Sequence, residues 1–129
     1  MNIYQQQIIF LDKKIYPHAD LSKKMMTAKS MMDAGFGAGL TIDIICKHIY
    51  ISKFHFIRSF NSHYGVTPHQ YLMRVRMKKA KQLLLKGENV TNVFQLTGYE
   101  SHSAFTKLFR RFTGQRPSSF QKKAIFSKQ

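Results

Sequence analysis

The chain has 129 residues, 43% of them hydrophobic, which suits one compact domain or two small ones sharing a core and argues against global disorder. Its formal net charge of +15 is lopsided: residues 1–51 hold six Lys/Arg and four Asp/Glu, a net of +2, and residues 52–129 hold fifteen and two, a net of +13. Such a field attracts polyanions, nucleic acid above all, whereas the six carboxylates, with Glu88 and Glu100 isolated in turns, offer no acid/base pair for catalysis.

In chain order, Ile8-Ile9-Phe10-Leu11 reads as a short strand, a dimer contact or an arm laid on the domain, the arm being preferred. The run follows three glutamines and precedes Asp12-Lys13-Lys14, so it lacks the basic start and small-residue cleavage site of a signal peptide. No segment approaches a membrane span in length. Ser22 is expected to cap a first helix through about Asp33, with Leu21, Met25, Ala28 and Met32 on one side. Gly35, Gly37 and Gly39 then break it.

Thr41 is the next expected N-cap, with Asp43 favourably placed in the first turn. Ile42, Ile45, Cys46 and Ile49 give that short helix its apolar face. Cys46 is the only cysteine, so no internal disulfide forms; a reduced, cytoplasmic setting fits, and Cys46 reads as a small buried residue among Ile44, Ile45 and Ile49. A capped helix follows at Ser52 after a tight turn, which is the helix-turn-helix pattern. Pro68–Lys86 is the longest expected helix, with Leu72, Val75, Ala80, Leu83 and Leu84 on its apolar side and Gly87 as its stop. Asn89 caps a short helix carrying Val90, Val93 and Phe94, Gly98-Tyr99 makes a turn, and Ser101 opens another helix. A last helix starts near Pro117 and runs into a basic tail, Lys122, Lys123 and Lys128.

The chain writes one stretch twice. Ser52–Tyr71 reads SKFHFIRSFNSHYGVTPHQY, and Ser101–Phe120 reads SHSAFTKLFRRFTGQRPSSF. At one constant offset Ser52 meets Ser101, Phe56 meets Phe105, Phe60 meets Phe109, Gly65 meets Gly114, Pro68 meets Pro117 and Tyr71 meets Phe120. Each copy spells a capped helix, a glycine stop and a proline restart, so two helical subdomains of one kind are expected. Opposite the phenylalanines runs a second stripe: Phe54, Ile57, Arg58 and Asn61 in the first copy, Ser103, Thr106, Lys107 and Arg110 in the second. A plain solvated face is the alternative reading, but the stripe recurs and carries a cation both times. The long helix between the copies spans roughly 28 Å, close to the 34 Å or so of one turn of B-DNA. A rod of that length would hold two recognition helices in successive major grooves.

The pattern resembles the DNA-binding domain of the AraC/XylS family of bacterial transcription regulators, over about Thr41–Lys123. The resemblance rests on S-x3-F-x3-F-x4-G-x2-P-x2-Y, on Arg76, Ala80, Leu83 and Leu84, and on the run GYESHSAFTKLFRRFTGQRP. It implies an all-α fold of seven helices, with two helix-turn-helix units joined by a long helix; with the reading of the residues above, the expected division is an arm and first helix over residues 1–40, a first helix-turn-helix over 41–67, a linker helix over 68–87, and a second helix-turn-helix with the basic tail over 88–129. It implies binding to promoter DNA and transcriptional control, usually activation, with RNA polymerase as a partner. Carried over by position, Phe54, Ile57, Arg58, His102, Ser103, Ala104 and Lys107 would contact bases. Ser52, Lys53, His55, Ser101, Thr106, Arg110 and Arg111 would contact phosphates. Three positions depart from the pattern. Phe94 stands where a small alanine is usual, which would push apart or rotate the second unit's helices; Arg116 replaces a capping Ser/Thr; and Ile57 is apolar where a polar base reader is common.

Arg58 suits bidentate bonding to guanine O6 and N7, worth about 1–3 kcal/mol of discrimination. Phe54 and Ile57 either meet thymine methyl groups or pack in the ordinary way. The six histidines show no H-x3-H spacing and there is no C-x2-C pair, so neither a metal nor another cofactor is expected. The basic charge also permits a rival reading, a non-specific DNA-compacting or RNA-binding protein. About forty residues precede the match, too few for an effector-binding sensor domain, so a stand-alone regulator controlled by its own abundance is expected. Two reading units in one chain favour a monomer, with dimerisation through residues 1–20 left open.

Overall fold

A computed structural model describes residues 18–34 and 39–127. Among them are seven helices and no strand: α1 (His18–Ala34), α2 (Ile42–Ile49), α3 (Lys53–Tyr64), α4 (Pro68–Leu85), α5 (Val90–Thr97), α6 (His102–Thr113) and α7 (Pro117–Ser127). The chain forms two compact units, divided inside α4 between Leu72 and Met73. The arm at Ile8–Leu11, residues 1–17 with any dimer contact there, the breaks at Gly35 and Gly37, and Lys128 lie outside the described residues.

The helix starts follow from local capping. Thr41, Ser52, Asn89 and Ser101 each stand in extended backbone and accept the N–H three residues on, at 3.2, 3.1, 2.8 and 3.0 Å. The expected cap at Ser22 is a correction. The helix begins earlier, at His18, with Asp20 in its first turn where a negative charge meets the positive helix end. Ser22 is instead a side-chain partner. The His63 Nδ1–H donates to the Ser59 carbonyl (2.8 Å), which leaves Nε2 to accept from the Ser22 hydroxyl (3.3 Å).

In the first unit, Met25, Ala28 and Met32 of α1 close over Ile42, Ile45, Cys46 and Ile49 of α2, Phe56 and Phe60 of α3 and Leu72 of α4. Each large apolar side chain so buried stabilises the fold by about 1.5–3 kcal/mol. Polar ties reinforce the seat of α1: Lys24 donates to the Ile49 carbonyl, and Tyr71 donates to Asp33. Burial, then that hydrogen bond and the nearby Asp33 charge, push the Tyr71 hydroxyl up to about 12. Cys46 is buried as expected, whereas Ile44, grouped with it in the sequence, is 46% exposed.

In the second unit, Met77, Ala80 and Leu84 of α4 pack with Val93 of α5 and Phe105 and Phe109 of α6. Met77 was not among the residues expected here, and Val75, which was, is only half-buried. Gly87 (φ +97°) ends α4, and the side-chain amide of Gln121 from α7 donates to the Leu84 and Glu88 carbonyls (3.0 and 2.6 Å).

The duplication survives at atomic level. Phe56, Phe60, Phe105 and Phe109 are all fully buried. Phe56 meets Phe60 at 5.7 Å between ring centroids and Phe105 meets Phe109 at 5.9 Å; Phe60 meets Tyr71 at 5.7 Å and Phe109 meets Phe120 at 5.4 Å. Gly65 and Gly114 both end their helices in the left-handed region, at φ +74° and +79°.

Candidate nucleic-acid interface

Each unit offers one helix whose inner face is committed to a core and whose outer face is not. On α3, His55, Phe56, Ser59 and Phe60 face inward. Arg58 and Asn61 are exposed on the other side, with Phe54 and Ile57 half-buried between. The Arg58 guanidinium lies over the Phe54 ring, 5.9 Å from its centroid, one helical turn away. Phe54 therefore supports the arginine as well as presenting an apolar edge of its own.

The equivalent row on α6 is Ser103, Thr106, Lys107 and Arg110, of which only Thr106 is half-buried. These four, with His102, line one side of a surface cavity of about 590 Å³ completed by Val90 and by Arg116, Pro117 and Ser118 at the start of α7. The face is thus concave and cationic. Arg116 was singled out in the sequence only as a missing cap; the structure adds it to the wall of this groove. Ala104 is half-buried, and Arg111 is exposed on the flank.

The helix-turn-helix pairs of the two units differ in one respect. α2 and α5 each have eight residues, which aligns Cys46 with Phe94. The turn before the next N-cap is Tyr50-Ile51 in the first unit and Gly98-Tyr99-Glu100 in the second, one residue longer. The extra residue goes with the larger side chain. Phe94 turns toward the start of α6, 5.4 Å from the His102 ring and 6.1 Å from Phe105. His102, also 3.4 Å from the Thr106 hydroxyl through Nδ1, is held from two sides.

Among the expected phosphate contacts, the Ser52 and Ser101 hydroxyl oxygens each accept the N–H that caps their helix. Lys53 is exposed and reaches Asp43 at 3.5 Å, an exposed pair of little strength. His55 is a correction: it is 3% exposed, on the same inner face as Phe56 and Ser59, and cannot reach a phosphate. At the turn beside Lys53, burial, then the Asp43 charge, push the Cys46 thiol up to about 11, with Lys53 partly opposing. Among the described residues no group of three His, Cys, Asp or Glu could hold a metal ion, and no helix is long and apolar enough to cross a membrane.

Residues 45–123 match the family of helix-turn-helix domains. Over 73 residues, 56% of this chain and 29% of the relative, the sequence is 38% identical to the "Probable transcriptional regulator LumQ" of Photobacterium leiognathi. The chain spans about a third of the length of such curated relatives. The fold is similar to the C-terminal domain of AraT, a response regulator from Geobacillus stearothermophilus, with a TM-score of 0.75 at 22% identity, covering 80% of this chain and 87% of that one. It is also similar to a transcriptional regulator with an AraC-type DNA-binding domain from Chromobacterium violaceum, with a TM-score of 0.70 at 23% identity, covering 83% and 96%.

Proposed function

This chain belongs to the AraC-type helix-turn-helix family, and from that premise we propose that it is a sequence-specific transcription regulator that reads promoter DNA with α3 and α6. One observation carries the reading. Two helices built on the same cap and the same buried pair of phenylalanines each turn a cation outward at the same place, Arg58 and Lys107. That recurrence is what two equivalent readers of a repeating groove require.

In the proposed mechanism each helix enters a major groove. The two grooves entered are successive ones, about 34 Å apart along the duplex. Arg58, steadied by Phe54, bonds a guanine edge, while Phe54 and Ile57 meet thymine methyl groups. Lys107, His102, Ser103 and Ala104 face bases in the second groove. Ser52, Lys53, Ser101, Thr106, Arg110 and Arg111 position the protein on phosphates, which fixes register without reading sequence. One chain carries both readers, so a monomer suffices. The reading extends to activation through contact with RNA polymerase, on nucleoid DNA in the cytoplasm.

The net charge of +15 favours one rival, a non-specific nucleic-acid binder. A gel shift on genomic fragments with heparin as competitor separates the two. The proposal requires a few discrete fragments to survive; uniform loss of all fragments contradicts it.

A further inference from the structure

The outer face of α4 carries charge that the reading mechanism does not use. Within the second unit α4 turns Met77, Ala80 and Leu84 to the core. On the other side stand Arg74, Lys78 and Lys81, at i, i+4 and i+7, all exposed. No Asp or Glu occurs anywhere in α4, and among the described residues no carboxylate pairs with any of the three. Like charges at these spacings destabilise the helix that bears them, so the stripe works against folding until something anionic covers it.

Within the second unit the stripe and the reading row lie on different helices. α4 and α6 press their inner faces into one core, so their outer faces look away from it on different helices. Past the end of α4, Lys86 is exposed as well, followed two residues on by the exposed Glu88.

We propose that the outer face of α4 is a second, sequence-independent binding face for the phosphate backbone of double-stranded DNA. Charge complementarity selects this occupant. A protein partner needs apolar anchors at the centre of its contact, whereas the only exposed apolar residue on this stripe is Leu85, at its far end. A DNA backbone needs cations in line, and the stripe supplies three within two turns.

The test uses the full chain saturated with an unlabelled short duplex carrying a captured site, into which a labelled duplex of random sequence is titrated. The wild type is expected to hold the second duplex. The variant Arg74→Gln, Lys78→Gln, Lys81→Gln should bind it at least tenfold more weakly, with a log–log salt slope shallower by about two to three. Its affinity for the first duplex should stay close to wild type and its melting temperature at or above it, since glutamine keeps the helix and relieves repulsion. Failure of the wild type to hold a second duplex overturns the proposal, as does a variant that holds it equally well. So does a stripe-dependent complex with polyglutamate in place of DNA, which would point to an acidic protein. If the chain prefers no site at all, the reading of α3 and α6 fails, but the slope difference on random duplex alone still decides this proposal.

Discussion

The two units share a backbone frame at the restart after each recognition helix but not the side chains that cap it. In the first, the Thr67 hydroxyl accepts the Gln70 N–H at 3.2 Å and the Gln70 side-chain oxygen accepts the Thr67 N–H at 3.1 Å. The Thr67 carbonyl opens the helix by accepting from Tyr71 at 3.0 Å, and the Arg116 carbonyl does the same from Phe120 at 2.9 Å. Arg116 and Ser119 occupy the two capping positions in the second unit. Arg116→Thr with Ser119→Gln should therefore graft the reciprocal cap. A Thr cap is worth about 1 kcal/mol and the returning Gln adds a further fraction, so the gain is roughly 1–2 kcal/mol. For a chain of this size that raises Tm by roughly 3–8 °C. The same change removes a cation from the groove beside Lys107 and Arg110. DNA affinity should fall alike on all sequences, and the salt slope should lose about 0.9. Urea denaturation with a fitted midpoint and slope reads the stability, and a salt titration of binding reads the rest. A variant no more stable than wild type at unchanged m would refute the reasoning, because it would mean that the two restarts are not equivalent.

Three other outcomes follow from the geometry. Lys53→Ala and Arg111→Ala should each weaken binding to all duplexes alike and flatten the salt slope by about 0.9; a base-specific loss would remove either residue from the phosphate set. Tyr50→Gly should stabilise the chain by roughly 0.5–1 kcal/mol in chemical denaturation. It relieves a left-handed residue at φ +58°, less the contact of Lys24 with the Tyr50 ring, 5.8 Å from its centroid; an unchanged or lower midpoint would count against that strain. Cys46 should react with a thiol reagent at pH 8 far more slowly in the native chain than in urea, because burial and Asp43 hold its thiol at about 11. By the same shift, its contribution to stability is complete below about pH 9 and is lost as pH rises through 11. Equal rates in the native and unfolded chain would show Cys46 to be open.

The caps at Thr41, Ser52, Asn89 and Ser101 were legible in the sequence because capping is settled within four residues. The paired phenylalanines were legible because they recur at one offset. What went astray depended on distant neighbours. Ser22 has the right side chain for a cap, but α1 starts upstream of it, and the residue is drawn instead to His63 across the unit. His55 lies between the cap and Phe56, where the width of the buried face is decided by packing rather than by spacing. Phe94 stands out in the sequence as a large side chain at the position of Cys46 in the other unit. Its resting place against His102 depends on a turn one residue longer than its counterpart, which makes sense only once both units are compared in space. Met77 was passed over because α4 serves two cores in turn, Leu72 facing one and Met77 the other, so no single stripe describes the helix.

The most direct test is selection from a pool of randomised duplexes by the wild type, by Arg58→Ala and by Lys107→Ala. Two twin readers predict two short preferred blocks about ten base pairs apart, with Arg58→Ala erasing preference in one block and Lys107→Ala in the other. If both substitutions blurred the same block, or if the wild type selected no sequence, the pairing of α3 and α6 as readers would be contradicted.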